Sequence, residues 1–206
     1  MDYQNREKYL AAAREMLAEN VYKHCLALEA CMGGLYDYFN GQNPSTASIS
    51  LSTSSLGSRE DWMLAGFLHD IAYWGETKAD HPLKVNEVLA KYNLSVSETV
   101  YQIIKAHAPD LTGVQPKNKA EWSIFCADSL TGLITAVALI LPSKKLADVK
   151  LSSVIKRLLK QPKFAAGTRR EEIKQCVDPS GLNLQVEKFI EICLNSMKEN
   201  SSKLGL

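Results

Sequence analysis

At 206 residues, with 46% hydrophobic and 23% charged side chains, the chain has the make-up of a soluble globular protein with enough apolar material for one full core. A net charge of +1 excludes a molecule that is basic overall in the manner of a nucleic-acid binder. The longest apolar run, Leu133 to Leu141, falls far short of the roughly 18 residues that span a membrane, so no membrane partner is expected. The charge is uneven, however. Residues 142–175 carry ten Lys/Arg against three Asp/Glu, a local +7 that leaves −6 for the remainder. Such a segment suits phosphate-bearing partners, although a solvated helix surface is its commoner origin. Five cysteines, an odd number with no CxxC, fit free buried thiols in a reducing cytoplasm, and the charged N-terminal stretch is unlike a secretory signal.

In chain order, residues 5–18 read as an amphipathic helix with Tyr9, Leu10, Ala13 and Leu17 on one side. A second helix, capped by Asn20 and running to about Phe39, repeats Val21, Leu28, Cys31, Met32 and Leu35 at the helical period, with His24 one turn before Leu28. Residues 40–57 lose both charge and period and read as a long Ser/Thr-rich loop. Ser58 and Asp61 then predict a capping box for a helix over 59–71 that ends in His69-Asp70. Asp80 is expected to cap the next helix, with His81 at its start and Pro82 in its first turn. Val96, Val100, Ile103, Ile104 and His107 follow one helical face up to the breaker Pro109. A long helix over 119–141 carries Asp128 within nearly continuous apolar sequence. Beyond Pro142 come a helix at 150–160, a capping box of Thr168 with Glu171, and a last amphipathic helix over 183–198 before a frayed tail.

The chain has four histidines, His24, His69, His81 and His107, each at an inward or helix-starting position. Asp70 and Asp128 lie in equally apolar settings, where a carboxylate needs a cationic partner. A single inward histidine is more often a hydrogen-bonded core residue than a ligand. One shared divalent-metal site accounts for all six residues together, since imidazole nitrogen and carboxylate oxygen suit zinc, manganese or iron.

The order His24 … His69-Asp70 … His81 … His107 … Asp128 resembles the HD superfamily of metal-dependent phosphohydrolases. Their signature is an early His, a His-Asp doublet after an apolar helix and a late Asp, with two intervening histidines in two-metal members. The chain is most similar to an uncharacterised group of HD-domain hydrolases. The likeness rests on Lys23-His24 … Leu28-Glu29-Ala30, on Ala127-Asp128-Ser129-Leu130-Thr131-Gly132-Leu133-Ile134, on Pro142-Ser143-Lys144-Lys145-Leu146-Ala147-Asp148-Val149, on Lys163-Phe164-Ala165-Ala166-Gly167 and on Arg170-Glu171. It departs at Ile71-Ala72-Tyr73-Trp74, where many members have Gly and then a basic residue, at Val85 and Asn86, and at the Ser/Thr run of 42–57, which reads as an insertion.

The resemblance implies one HD domain over 1–206, an all-α helical bundle with a central metal site, in which 142–206 form a C-terminal helical extension. By the same resemblance His24, His69, Asp70 and Asp128 would hold a first metal, and Asp70 would bridge to a second held by His81 and His107. The cofactor would be one or two divalent transition metals, manganese, iron, nickel, cobalt or zinc, with magnesium a further candidate. A water activated there would attack the phosphorus of a small anionic phosphorylated substrate, such as a nucleotide. Lys145, Lys150 and Lys156 are the candidate phosphate-binding residues, and Glu29 is a candidate partner for His24. Two other classes use the same ligands: an HD-fold di-iron oxygenase, and a non-catalytic metal-containing nucleotide sensor or scaffold.

Overall fold

The computed structural model of the chain describes residues 5–41 and 57–206, and within them every regular element is helical. The expected Ser/Thr loop falls almost wholly outside the described residues; its first two positions, Asn40 and Gly41, instead complete a helix.

Helix α1 (Arg6–Met16) lays Tyr9, Ala12, Ala13 and Met16 on the core. α2 (Glu19–Gly41) starts one residue before the expected cap, so Asn20 lies inside its first turn. α3 (Arg59–Leu68) opens on the expected capping box: Asp61 N–H donates to Ser58 Oγ at 3.1 Å, and Ser58 N–H to Asp61 Oδ2 at 2.8 Å. Between α2 and α3 the backbones nearly touch. A Cβ on Gly66 would meet Leu28 O at 2.9 Å and Glu29 N at 3.0 Å, so only glycine allows the two helices this close.

The helix expected at Asp80 begins later. Gly75–Asp80 is a 3₁₀ turn, and α4 spans Val85–Ala90. His81 is extended (φ −59°, ψ 142°), as residues before proline prefer, which keeps it out of the helix. α5 (Glu98–Ala106) is capped by Ser97 and buries Val100, Ile103, Ile104 and Ala106, with His107 just past its end. A short α6 (Pro109–Thr112) follows.

α7 (Lys119–Leu139) is buried on most of its circumference, because the other helices pack around it. By length and composition it could cross a membrane, but 67% of its most apolar window is buried inside the chain, as in a soluble core helix. α8 (Leu151–Lys160) is amphipathic and buries Val154 and Leu158. α9 (Arg170–Lys174) makes no side-chain cap, so the expected Thr168–Glu171 box is not formed and Arg169 borders the helix. α10 (Val186–Glu199) packs against α2 and α8, and α11 (Ser201–Leu204) returns to α2, burying Leu204 where a frayed tail was expected. One hydrophobic core runs from Tyr9 to Leu204, so the segment after Pro142 shares it with the rest. All five cysteines are buried and unpaired.

Candidate metal centre

Six residues from five segments converge around α7. α2 brings His24, the end of α3 brings His69 and Asp70, the extended residue before Pro82 is His81, the end of α5 brings His107, and α7 brings Asp128. His69, His81, His107 and Asp128 are buried, and His24 and Asp70 are half-buried. All six expected ligands are therefore together.

They form two groups that share the carboxylate of Asp70, and a third combination, His69, His107 and Asp128, crosses between them. In the first, His24 Nε2 lies 3.1 Å from His69 Nε2, 3.0 Å from Asp128 Oδ1 and 3.8 Å from Asp70 Oδ2. His69 Nε2 is 3.4 Å from the same Asp70 Oδ2. In the second, His81 Nε2 lies 3.0 Å from His107 Nε2 and 2.9 Å from the other oxygen of Asp70, Oδ1. Each oxygen of Asp70 thus serves one group. The residues His24, His69 and Asp70, and likewise Asp70, His81 and His107, can hold a metal ion. Neighbouring ligands about 2.1 Å from an ion stand about 3 Å apart, which is the spacing found.

Hydrogen bonds on the far ring nitrogens decide where the lone pairs point. His69 Nδ1 is 2.9 Å from Gly66 O, and His107 Nδ1 is 2.5 Å from Ile104 O. A carbonyl only accepts, so both Nδ1 atoms carry the proton, and in the neutral rings Nε2 is bare. Thr131 fixes His24 in the same way. Its hydroxyl donates to Asp128 O at 2.7 Å, so it accepts from His24 Nδ1–H at 2.9 Å. His24 and His69 therefore aim two bare nitrogens at one point. In the neutral rings that arrangement repels unless a metal ion or a shared proton sits between them, and backbone or hydroxyl partners on the far nitrogen are what metal-binding histidines have. The donor set fits a divalent metal on this ground.

With no ion bound, the carboxylates draw a proton to this cluster instead. Burial opposes charge on His69, but the adjacent Asp70 overrides it and raises the imidazole well above 6.5. Asp70 would be pushed up by burial, yet His69, His81 and His107 bring it well below the usual carboxylate range. His24 and His69 lower Asp128 likewise, against its burial. His107 goes the other way: burial, then the charge of His69, depress it to about 3, so this ring stays neutral.

The centre forms the floor of a cleft of about 890 Å³. The cations on its walls are Lys78 and Arg169, whereas Lys145, Lys150 and Lys156 are not among its lining residues. α8 turns its apolar face into the core and leaves Lys156 in solvent, and Lys150 borders a separate groove with Glu191 and Lys198. Arg169 was not singled out by the sequence. Its Nη2 donates to Asp128 Oδ2, and its Nε lies 3.1 Å from Glu172 Oε2. Burial lifts Glu172 to about 7, with Arg169 pulling the other way. Glu29, expected near His24, binds Arg6 through both carboxylate oxygens at 2.7 Å each and so joins α1 to α2. Comparison with family models, curated proteins and solved structures gives no match.

Proposed function

We propose that the protein is a metal-dependent phosphohydrolase of the HD type, with two metal positions sharing Asp70, that cleaves a phosphoester of a small anionic substrate. The observation that carries this reading is the division of Asp70, one oxygen facing His24 and His69 and the other facing His81 and His107. A structural ion needs one closed set of ligands; two adjoining sets at the floor of an open cleft leave room for a substrate oxygen. When bound, a pair of divalent cations lowers the pKa of a water and offsets the charge of the phosphoryl group.

The chain's own residues do the positioning. His24 and His69 are held by Thr131 Oγ1 and Gly66 O, so their rings cannot turn away from Asp128 and Asp70. His107, kept neutral by burial, is ready to ligate without first losing a proton. Ala108, Pro109 and Leu111 on one side and Ala165 and Ala166 on the other give the cleft apolar walls around a charged floor, which suits a leaving group such as a nucleoside or a sugar.

Metal analysis of the purified protein, with phosphate release from a phosphoester panel, tests the reading on wild type and His107→Ala together. The expected result is close to two metal equivalents, falling towards one in the variant as phosphate release is lost. Two irons with oxygen uptake and no phosphate release would overturn it in favour of an oxygenase. Bound metal with turnover of nothing would leave a sensor or scaffold.

A further inference from the structure

The loop of residues 161–169, whose Ala165 to Arg169 line the cleft, is built around one half-buried arginine. Arg170 Nη1 donates to Ala165 O and Thr168 O, both at 3.4 Å. Its Nη2 donates to Gln161 O at 3.3 Å and to Phe164 O. Four carbonyls of one loop thus meet one guanidinium, and the ring of Phe164 lies 5.1 Å from the guanidinium of Arg157. The loop even holds Ala165 in the left-handed region (φ 45°), which a non-glycine residue adopts only when its surroundings impose it.

This stapled loop delivers Arg169 to the cleft. Arg169 is fixed on three sides, by Asp128 Oδ2, by Ser129 Oγ at 3.2 Å and by Glu172, while its Nη1 makes no hydrogen bond among the described residues. Its side chain is 45% exposed. Lys78 enters from the other group. Its Nζ lies 4.5 Å from the centre of the Tyr73 ring, and Tyr73 stands edge-on to His81 at 5.2 Å. One cation is therefore attached at Asp128, and the other sits on Tyr73, the ring that meets His81.

We propose that Arg169 and Lys78 form the anion subsite of this cleft and select the two negative charges of a phosphomonoester over the single charge of a diester. Arg169 is the main contact, because a guanidinium held in place presents its remaining N–H donors, those of Nη1 first, in a fixed direction, whereas Lys78 contributes a mobile point charge. The inference rests on the phosphohydrolase reading above.

The test uses manganese-supplied wild type, Arg169→Gln, Arg169→Lys and Lys78→Gln. Inorganic phosphate binding is measured by calorimetry, with turnover of p-nitrophenyl phosphate and of its bis diester. Arg169→Gln is expected to weaken phosphate binding and raise the monoester KM by about 10- to 100-fold, with metal content unchanged and the diester KM altered less than about threefold. Arg169→Lys recovers part of the loss, and Lys78→Gln costs about 3- to 10-fold. Unchanged phosphate affinity in Arg169→Gln overturns the subsite, and so does a loss that merely follows lost metal, which would make Arg169 a positioning residue for Asp128. No turnover of any ester, combined with phosphate binding that Arg169→Gln abolishes, would retain the subsite and remove the hydrolase reading. Normal turnover with an unchanged KM would do the reverse.

Discussion

The two halves of the centre are held in different ways. His24, Asp128 and His69 sit within or at the end of three mutually packed helices, two of which touch backbone to backbone at Gly66. His81 belongs to a turn whose preceding 3₁₀ segment, Gly75–Asp80, buries none of its residues, and its ring is backed by the exposed Tyr73. Helix interiors fix a side chain through the packing of the whole element, whereas an exposed turn opens at little cost. The first half is a preformed pocket. In the second half, one candidate ligand is fixed by α5 and the other, itself buried, directly follows an exposed 3₁₀ turn. An ion in the first position should exchange slowly, and one in the second more readily.

Asp70 is the link, so Asp70→Asn should have the largest effect. It removes a charge from both halves at once, and metal content should fall from about two equivalents to below one, with activity down by more than about 100-fold, the upper end of what an outer partner of a ligand is worth. Retention of one tightly bound ion would show that the first half is complete without Asp70. Thr131→Val is the milder and more selective change. It keeps the volume but takes away the acceptor for His24 Nδ1–H. Competitive titration with a chelating dye should show affinity for the first ion weakened by about 10-fold and the second unchanged. Equal loss at both would mean that the halves are not independently supported.

The sequence carried the candidate ligands but not their support. The six clustered His and Asp residues stood out because charged or imidazole side chains in apolar helical stretches are rare, and the Ser58–Asp61 box was legible because it is a contact within one turn. Thr131 was in view, three residues from Asp128, yet nothing local says that its hydroxyl reaches an imidazole 107 positions away. Arg169 was hidden differently. Thr168 and Glu171 form a capping pattern whose positions the chain spends elsewhere, because Arg170 gathers the loop carbonyls and Arg169 turns to Asp128. The basic segment does reach the cleft, through Arg169, but Lys145, Lys150 and Lys156 were the wrong residues to pick from it. A charge count does not record which face is buried, and α8 buries its apolar one.

The smallest expected effect compares the halves through pH, on chelator-treated protein, by melting temperature between about pH 4.5 and 8.5. His69 in the first half is raised above 6.5 by Asp70, against its burial. Its contribution to stability is therefore complete below pH 6.5 and is lost as pH rises through the higher folded value. His107 in the second half is depressed to about 3 by burial and by His69. Between about pH 6.5 and 3 the unfolded chain takes up a proton that the folded chain refuses, so stability falls as pH falls. The lowered Asp70 and Asp128 add losses only below about pH 4, outside this window, while Glu172, lifted to about 7, loses stability as pH rises from about 4.5 to 7 and is a constant background in every variant compared. His107→Asn should flatten the acid limb alone, by about 5 °C at its low end. His69→Asn should flatten the alkaline limb and also soften the acid one, because the charge that helps to depress His107 has gone. An acid limb that survives His107→Asn unchanged would mean that this ring is not the group refusing the proton, and the contrast between a charged first half and a neutral second half would fall with it.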